Sequence, residues 1–492
     1  MRRLVFVCTL ILFLLVGCLP LTNKAQVGVS YPGKGPTETP TSMPLPFSTL
    51  DPDYQSSDDG TPASDSYSPT PSGPTNTPRP TLPPRDWPEP GTFGSPPRPS
   101  TAVPAPIAPF AFEDDVINIL LLGSDRRTGR YFRTDIIIVL SIHPSARAAV
   151  MISIPRDLYV YIPGYTMQRV NTAYLFGDYL SYPGGGIALL KDTILYNFGI
   201  TIHHYALIEM KGFENLVDTL GGVDIHVACP YTDWRLKSPA LDPNNENNWA
   251  LYTVSPGIVH ANGEFALWYA RSRKRSSDFD RSRRQQEVLR AIFRQILNLD
   301  LIPRIPALYS DLTSMVETDL GVGDLISLAP LAFRIDLSRV RSRFIGTDQV
   351  RAWRTPTGGA VQLPEPGAIE ALLQDALYFE TEDFLTQDYE VTVEVINASS
   401  YTDWATLAAE RLIYAGFDVE INPVGATPSS STRLIDYGLG TNEDLQRLQM
   451  IMNLRSSSTI TQPDLSSAYT YTVYVGNDFS PCFNPTTHQG NP

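Results

Sequence analysis

The fold of the first globular region is decided by residues 117–157, which read INILLLGSDRRTGRYFRTDIIIVLSIHPSARAAVMISIPRD. This stretch contains three short apolar runs, 117–122, 136–142 and 149–154, each typical of a buried β-strand. The first linker has no helical pattern and the second is a short turn, so we predict that the three strands pair antiparallel. The end of the first strand, the start of the second and the end of the third then meet at one edge of a sheet.

Charged residues gather at this predicted edge. They are Asp125, Arg127, Arg133, Asp135, Arg156 and Asp157. Carboxylates are ligands for divalent cations, and guanidinium groups pair with phosphate through two parallel hydrogen bonds. The edge therefore suits a metal ion and a phosphorylated ligand, although a set of salt bridges between loops would use the same residues.

Strands and helices intermix along the rest of the chain. Helical patterns cover 186–198, 211–220 and 280–299, and strand patterns cover 205–209 and 223–227, with further helices around 325–333 and 369–378. A second unit begins near Tyr389 and alternates strand, helix, strand, strand, helix, strand. Both regions therefore belong to the α/β class, and the second is the smaller one.

The helix predicted at 280–299 places polar residues on its buried side. Its apolar stripe consists of Val288, Leu289, Ile292 and Ile296, and helical spacing extends this stripe backwards through Gln285, Arg284 and Arg281. These residues lie in the first turns, where free backbone N–H groups favour anions. A basic cluster comes just before them: Arg271, Arg273, Lys274 and Arg275. We predict a phosphate or pyrophosphate site. A nucleic-acid groove is the rival, but no interleaved aromatic residues accompany it.

The composition excludes several classes of protein. Of the 492 residues, 42% are hydrophobic, which is enough for sizeable cores. The formal net charge of −14 disfavours a nucleic-acid partner, because a phosphate backbone requires a basic footprint. The chain contains no G-x-S-x-G, H-E-x-x-H or Walker sequence, and no nucleophile stands out. Positioning and charge neutralisation would have to carry the chemistry, as they do in phosphoryl transfer.

The N-terminus has the pattern of a bacterial lipoprotein. A cationic start precedes an apolar run that is too short to span a bilayer, and the run ends in Gly17-Cys18. We predict a signal peptide at 1–17 and lipidation of Cys18, with an uncleaved anchor as the alternative. Residues 18–110 contain most of the prolines, 22 of the 43 lying between Pro32 and Pro109. This segment is predicted to be a disordered Pro/Ser/Thr-rich tether.

Two cysteines remain for the folded regions. Cys229 lies in the first region and Cys482 follows the second. They either form one disulfide in an oxidising exterior or stay two unrelated buried thiols. No CxxC pair supports a structural zinc site.

Several blocks of the first region, taken in order, resemble the LytR-CpsA-Psr family. The blocks are Asn118–Arg127 (NILLLGSDRR), Arg133–Asp135 (RTD), Ser153–Asp157 (SIPRD), Arg169–Tyr174 (RVNTAY), Phe213 with Leu220–Asp224 (LGGVD), Leu267–Arg273 (LWYARSR) and Asp278–Gln286 (DFDRSRRQQ). The second unit resembles the LytR C-terminal domain through Val393–Ser399 and Ala415–Val419, with Ala398 where glycine is usual. The resemblance implies an α/β/α sandwich with a mixed central sheet at 111–385 (core 116–300), a small α/β domain at 389–480 and a tail at 481–492.

The resemblance also implies an activity. Such proteins are phosphotransferases outside the cytoplasmic membrane, and they move a glycopolymer from a polyprenyl-pyrophosphate carrier to peptidoglycan or another wall glycan. The implied anchor here is the N-terminal lipid, and no nucleic acid is involved. A non-catalytic envelope protein that binds polyprenyl phosphate or wall polymer is the alternative.

The implied roles of single residues follow from the matched blocks. Mg²⁺, or Mn²⁺, would be held by Asp125 and Asp135. Asp278, Arg273 and Arg281 would act at the reacting centre, with Asp278 as the base for the incoming hydroxyl. The pyrophosphate would be bound by a larger set: Arg133, Arg156, Arg169, Arg271, Arg273, Arg281, Arg284 and Gln285.

Overall fold

The computed structural model describes residues 86–94, 98–112, 115–124, 132–298, 314–335, 339–378 and 391–482. The predicted signal peptide, Cys18, most of the predicted tether, Asp125 and most of the C-terminal tail lie outside these ranges. No helix in the described ranges has both the length and the run of apolar residues needed to cross a lipid bilayer.

The first region consists of short strands and helices in alternation. Its strands are β1 (Ile117–Ser124), β2 (Thr134–His143), β3 (Ala148–Ser153), β4 (Tyr159–Tyr161), β5 (Met167–Arg169), β6 (His204–Glu209), β7 (Val223–Val227), β8 (Tyr231–Leu236), β9 (Trp249–Val254), β10 (Gly257–Ala261), β11 (Val316–Thr318), β12 (Val340–Phe344), β13 (Val350–Arg354) and β14 (Ala360–Pro364). Its helices are α1 (Ala173–Tyr179), α2 (Gly185–Phe198), α3 (Met210–Thr219), α4 (Gly263–Arg271), α5 (Asp278–Asn298), α6 (Val322–Arg334) and α7 (Ala368–Leu377).

A mixed sheet forms the centre of this region. Within the described ranges it has the order β11-β6-β1-β2-β3-β12. Strand β2 pairs antiparallel with β1 and with β3, which confirms the pairing predicted from the linkers. Strands β6 and β12 join parallel to β1 and β3, so the sheet is mixed as expected.

Helices cover both faces of the sheet. Ile137 and Val139 of β2 belong to a core cluster that also contains Leu190 of α2 and Leu373 of α7. The intervening Ile138 belongs to a second cluster, against which Leu289 of α5 packs. Because both faces are buried, the strands are almost continuously apolar and not alternating. The α/β/α sandwich predicted for this region is confirmed.

The end of the predicted tether is part of the folded region. The backbone N–H of Phe93 donates to the carbonyl of Gly164 at 2.9 Å, and that of Ile107 donates to the carbonyl of Tyr196 at 2.9 Å. The ring of Trp87 packs against Tyr196 with 5.1 Å between centroids. The prediction of disorder up to residue 110 is therefore wrong for the described residues 86–94 and 98–110. Scattered aromatic and aliphatic side chains anchor this Pro-rich strap, although its average composition is that of a disordered chain.

The second region is a small α/β domain, as predicted. Its elements are β15 (Thr392–Asn397), α8 (Trp404–Ile413), β16 (Asp418–Asn422), β17 (Arg433–Asp436), α9 (Asn442–Met452), β18 (Thr459–Thr461) and β19 (Tyr471–Val475). The sheet order is β16-β15-β19-β17-β18, with β17 antiparallel to β19 and the other pairs parallel. Helices α8 and α9 share one apolar core with the sheet.

A covalent bond and an ion cluster join the two regions. Cys229, just after β7, forms a disulfide with Cys482. This settles the alternative that the sequence left open. Nearby, Glu410 of α8 contacts His226 of β7 and Arg294 of α5. The carboxylate of Asp403 accepts a hydrogen bond of 2.9 Å from the backbone N–H of Ile258. The C-terminal domain is thus fixed to the first region.

Candidate functional site

An open cleft of about 590 Å³ lies at the sheet edge where the sequence predicted a site. Its walls come from the start of β2, the loop after β3, the end of β5, the first turns that follow β5 and the start of β14. The lining residues are Phe132, Arg133, Asp135, Arg156, Asp157, Arg169, Asn171, Leu175 and Ala360. Four of the predicted site residues, Arg133, Asp135, Arg156 and Arg169, therefore meet in one place.

Alternating charges run along the cleft. Arg156 Nη1 lies 2.9 Å from Asp135 Oδ1, and Arg156 Nε lies 3.3 Å from Asp157 Oδ2. Asp157 Oδ1 in turn lies 3.3 Å from Arg169 Nε. The antiparallel pairing of β2 with β3 produces this chain, because it brings the start of β2 next to the loop that leaves β3.

The cleft carries more positive than negative charge. Arg133, Arg156 and Arg169 supply three guanidinium groups against the carboxylates of Asp135 and Asp157. The paired side chains are partly exposed, from 17% for Arg156 to 37% for Asp135. Partly desolvated guanidinium groups form strong charge-assisted hydrogen bonds with phosphate oxygens. The arrangement suits an anionic ligand such as a phosphate.

A hairpin far along the chain orients one of these arginines. Arg169 donates to the carbonyl oxygen of Ala360, at 2.7 Å from Nη2. The backbone N–H of Gln362 donates to the carbonyl of Asp157 at 3.0 Å. The β13–β14 hairpin therefore holds the side chain of Arg169 and the backbone of Asp157 in place.

Apolar side chains, Phe132 and Leu175, also contribute to the lining of this mainly polar cleft. Phe132 is 7% exposed and belongs to the core cluster between the sheet and α2. Its ring lies 4.7 Å from that of Tyr174. A ligand with a charged head and an apolar tail would find both environments next to each other.

Helix α5 contributes buried polar residues but does not line the cleft. Arg281, Arg284 and Gln285 are 7%, 0% and 6% exposed. Arg284 Nη2 donates to the carbonyl of Ser272 at 2.6 Å, and its guanidinium lies 3.7 Å from the centre of the Tyr231 ring. Gln285 Nε2 donates to the carbonyl of Ala270 at 3.3 Å. Both side chains bond to the backbone at and after the end of α4, and the phosphate contact expected of Arg284 and Gln285 stays a prediction.

A second buried network fixes α4 against α5. Tyr269 donates its hydroxyl to Glu287 Oε2 at 2.8 Å, and Arg283 also contacts Glu287. Burial and the neighbouring Glu287 raise the pKa of Tyr269, which therefore stays a neutral donor. Burial opposes the charge on Arg283, but Glu287 and Asp280 outweigh it and raise the pKa of its guanidinium.

The remaining predicted residues lie beside this network or outside the described ranges. Arg271 ends α4 and Arg273 follows it, and both are exposed and away from the cleft lining. Asp278 is the first residue of α5, and its side chain is not described. Asp157, which the sequence placed at the edge but not in the site, is a central member of the charge chain. Asn171 appeared in the sequence only as part of the RVNTAY block, and no sequence pattern indicated a role for Ala360.

The carboxylates of the cleft are compatible with a magnesium ion. Among the described residues, no group of three or more His, Cys, Asp or Glu side chains is placed to hold a metal. Mg²⁺ needs fewer protein ligands, because it binds through one or two carboxylates together with phosphate oxygens and water. Asp135, which is 37% exposed on the cleft, fits that role. Its predicted partner Asp125 lies outside the described ranges.

Comparison with protein families identifies the chain. The model of the LytR_cpsA_psr family matches residues 100–351, which is just over half of the 492 residues. The chain belongs to the LytR_cpsA_psr family. Residues 390–479 match a second model, described as LytR cell envelope-related transcriptional attenuator. The family resemblance of both regions is thereby confirmed.

Curated relatives match part of the chain. The polyisoprenyl-teichoic acid–peptidoglycan teichoic acid transferase TagU of Oceanobacillus iheyensis is 34% identical over 218 residues, 44% of this chain and 62% of that protein. Regulatory protein MsrR of Staphylococcus aureus is 31% identical over 210 residues, 42% of this chain and 57% of that protein. The match thus spans about three fifths of the length of these relatives. The crystal structure of B. subtilis TagV is 24% identical, covers 55% of this chain and all of that chain, and has a TM-score of 0.44.

Proposed function

We propose that this protein is an extracytoplasmic phosphotransferase. It would transfer a glycopolymer from a polyprenyl-pyrophosphate carrier to peptidoglycan or another envelope acceptor. The observation that carries the proposal is the cleft in which Arg133, Arg156 and Arg169 face Asp135 and Asp157, with the apolar side chains of Phe132 and Leu175 in the same lining. The name of the TagU relative, a polyisoprenyl-teichoic acid–peptidoglycan transferase, supports the same chemistry.

The arginines of the cleft would bind and orient the donor. A pyrophosphate between a polymer and a polyprenyl chain carries two negative charges, which Arg156 and Arg169 would neutralise from two sides. Both guanidinium groups are held by ion pairs to Asp157, so little reorganisation would accompany binding. Positioned charge of this kind is the main contribution that proteins make to phosphoryl transfer. The polyprenyl chain would extend along Phe132 and Leu175.

The reaction exchanges one phosphorus–oxygen bond for another. The acceptor hydroxyl forms a bond to the phosphorus that carries the polymer, and the bridging bond to polyprenyl phosphate breaks. The hydroxyl proton passes to a base, for which we propose the carboxylate of Asp278. Asp125 and Asp135 would hold Mg²⁺ or Mn²⁺, which when bound would neutralise charge on the pyrophosphate.

The location of the protein is part of the proposal. Cleavage before Cys18 and lipidation of its thiol would attach the chain to the outer face of the membrane, where the donor lies. The disulfide between Cys229 and Cys482 agrees with an oxidising compartment. Net charge and the absence of a DNA-binding pattern in the sequence argue against a nucleic-acid partner.

The test measures release of polyprenyl phosphate by the full chain in detergent. The donor is a polyprenyl-pyrophosphate oligosaccharide, supplied with and without Mg²⁺. We expect metal-dependent release that falls by at least about a hundredfold in Arg156→Ala and Asp135→Ala. Arg433→Ala, an exposed arginine of β17 in the other domain, is the matched control. Tight lipid binding without turnover, unaffected by Asp135→Ala, would instead favour the binding or regulatory role suggested by the name of MsrR.

A further inference from the structure

The β8–β9 hairpin carries a concentration of exposed apolar side chains. Thirteen large apolar side chains are exposed in the described part of the chain. Four of them, Trp234, Leu241, Leu251 and Tyr252, fall within the 19 residues from 234 to 252. Single exposed apolar residues need no explanation, but a group of them on one surface indicates an interaction site.

One face of the hairpin is used inside the protein. In an antiparallel pair, opposite residues share a face and successive residues alternate between faces. Asp233 lies opposite Tyr252, and Arg235 lies opposite Ala250. The Arg235 guanidinium sits 5.0 Å from the centre of the Phe265 ring of α4, and Tyr252 packs against Trp268 of α4 at 5.6 Å. This inner face fixes the hairpin to α4.

The outer face is mainly apolar, with the paired threonines Thr232 and Thr253 at one end. It carries Trp234 opposite Leu251 and Leu236 opposite Trp249. Trp234 is 39% exposed and Leu251 is 48% exposed. The backbone of this strand is tied to α4, since Trp268 Nε1 donates to the carbonyl of Trp234 at 2.9 Å. Two exposed residues, Trp234 and Leu251, and two half-buried ones, Leu236 and Trp249, therefore form an apolar patch on this face.

Basic residues surround this patch. Lys274 Nζ lies 5.3 Å from the centre of the Trp249 ring, and the backbone N–H of Lys274 donates to the buried Asp233 at 2.9 Å. Loop 272–277 therefore lies beside the hairpin. The exposed basic residues here are Lys237, Arg273, Lys274 and Arg275, against the two exposed acids Asp242 and Glu246 at the hairpin tip. This local excess of positive charge contrasts with the formal net charge of −14 for the chain.

We propose that the outer face of the β8–β9 hairpin, together with loop 272–277, docks onto an anionic lipid surface. Tryptophan is favoured at the boundary between headgroups and acyl chains, leucine gains free energy by insertion, and basic residues are attracted to anionic headgroups. The inference deepens the proposed function and rests on it in one respect: a polyprenyl-linked donor has to be drawn from a membrane. The docked loop leads directly into α5, whose first turns carry predicted site residues.

A glycan chain is the rival occupant, and the patch favours lipid over it. Aromatic rings stack on sugars, but the two leucines that alternate with the tryptophans offer a glycan neither hydrogen bonds nor a flat ring. The polar groups of this face are already paired: Trp249 Nε1 donates to the carbonyl of Pro243 at 2.9 Å, and the hydroxyls of Thr232 and Thr253 bond to each other at 2.8 Å. An anionic lipid surface would contact the tryptophans, the leucines and the basic residues alike.

The test uses tryptophan fluorescence of the full chain reconstituted in vesicles. The vesicles contain phosphatidylethanolamine and phosphatidylglycerol with brominated acyl chains, which quench only tryptophans that reach the acyl region. Leu251→Ser keeps all six tryptophans of the chain but removes an apolar anchor. We expect this variant to lower the ratio of docked to undocked molecules by on the order of tenfold or more, with a matching loss of quenching. Leu465→Ser, the same change at an 87% exposed leucine of the C-terminal domain, should leave quenching unchanged.

Charge is tested separately. Lys274→Gln should reduce quenching in vesicles that contain phosphatidylglycerol, and added salt should reduce it in the unaltered chain. Equal quenching of Leu251→Ser and Leu465→Ser, or no quenching in the unaltered chain, would overturn the proposal. A fluorescence response to soluble peptidoglycan fragments in place of lipid would overturn it in favour of a glycan site. Turnover of the same variants in detergent micelles is measured independently, so the failure of docking and the failure of the phosphotransferase activity are distinguishable.

Discussion

The substitution Glu410→Gln tests how the C-terminal domain is held to the first domain. Glu410 Oε1 lies 2.8 Å from Arg294 Nη1, and Oε2 lies 2.7 Å from His226 Nδ1. Arg290 Nε approaches to 4.0 Å. All three partners belong to the first domain, and the side chain of Glu410 is 17% exposed. The carboxylate is therefore the charged centre of the interface, and glutamine keeps its shape while removing its charge.

The pKa of Glu410 gives the magnitude of this contribution. Burial of the carboxyl opposes its ionisation, but the hydrogen bond with His226 and the charges of Arg294 and Arg290 outweigh burial and lower the pKa from 4.5 to about 2. The difference between these pKa values corresponds to about 3 kcal/mol of stability. Because the pKa is lower in the folded state, this stabilisation is fully present above about pH 4.5. It is lost as the pH falls towards about 2.

The assay is urea unfolding with the disulfide intact, followed by circular dichroism from pH 7 down to pH 3. At pH 7 we expect Glu410→Gln to lower the free energy of unfolding by about 3 kcal/mol. The unaltered chain should lose more than half of this difference by pH 3, so the two curves approach each other as the pH falls. Glu443→Gln, at an exposed position in the first turn of α9, is the matched control. A change below about 1 kcal/mol at pH 7, or parallel pH profiles, would refute the account of the interface.

Two further predictions concern α4 and its connection to α5. Arg284→Lys should expose loop 272–277, because a single ammonium cannot reach both the Ser272 and the Tyr269 carbonyls. Trypsin should then cleave this loop several-fold faster than in the unaltered chain. An unchanged cleavage rate would contradict the role given to Arg284. Gly263→Ala should lower the free energy of unfolding by about 1–3 kcal/mol, since a Cβ there would overlap the backbone of Glu214. Gly323→Ala in α6, where nothing lies within 4 Å, serves as its control in the same urea titration and should be neutral or slightly stabilising.

The three central strands and the polar edge were predictable from local sequence. The apolar runs define β1, β2 and β3, and the short linkers force them into antiparallel pairs. Antiparallel pairing alone then brings Asp135 next to Arg156, as the ion pair of 2.9 Å shows. No long-range information was needed for this part of the cleft.

Other parts of the cleft depend on contacts between distant segments. The carbonyl of Ala360 accepts a hydrogen bond from Arg169 across 191 residues of sequence, and a backbone carbonyl leaves no trace in a side-chain pattern.

Strands β11 and β18 have three residues each, which is too short for a periodicity to show. The Pro-rich strap before residue 110 was misread for a related reason. Its anchors, such as Trp87 and Phe93, are spaced irregularly because they fit pockets on the domain and not the period of a helix or strand.

Helix α5 shows what a hydrophobic period can and cannot establish. The stripe through Val288 and Ile292 predicted that Arg281, Arg284 and Gln285 point inwards, and all three are buried. Burial of a cation requires a partner, but the period does not say which one. For Arg284 the partners are the backbone carbonyls of Tyr269 and Ser272 and the ring of Tyr231, all within the protein. An inward-facing arginine in the apolar stripe of a helix can therefore have two roles. It can bind a ligand, or it can hold a neighbouring loop through hydrogen bonds to the loop backbone. For Arg284 these contacts hold the loop that carries Arg273 and leads to Asp278, so the residue fixes the position of two predicted site residues.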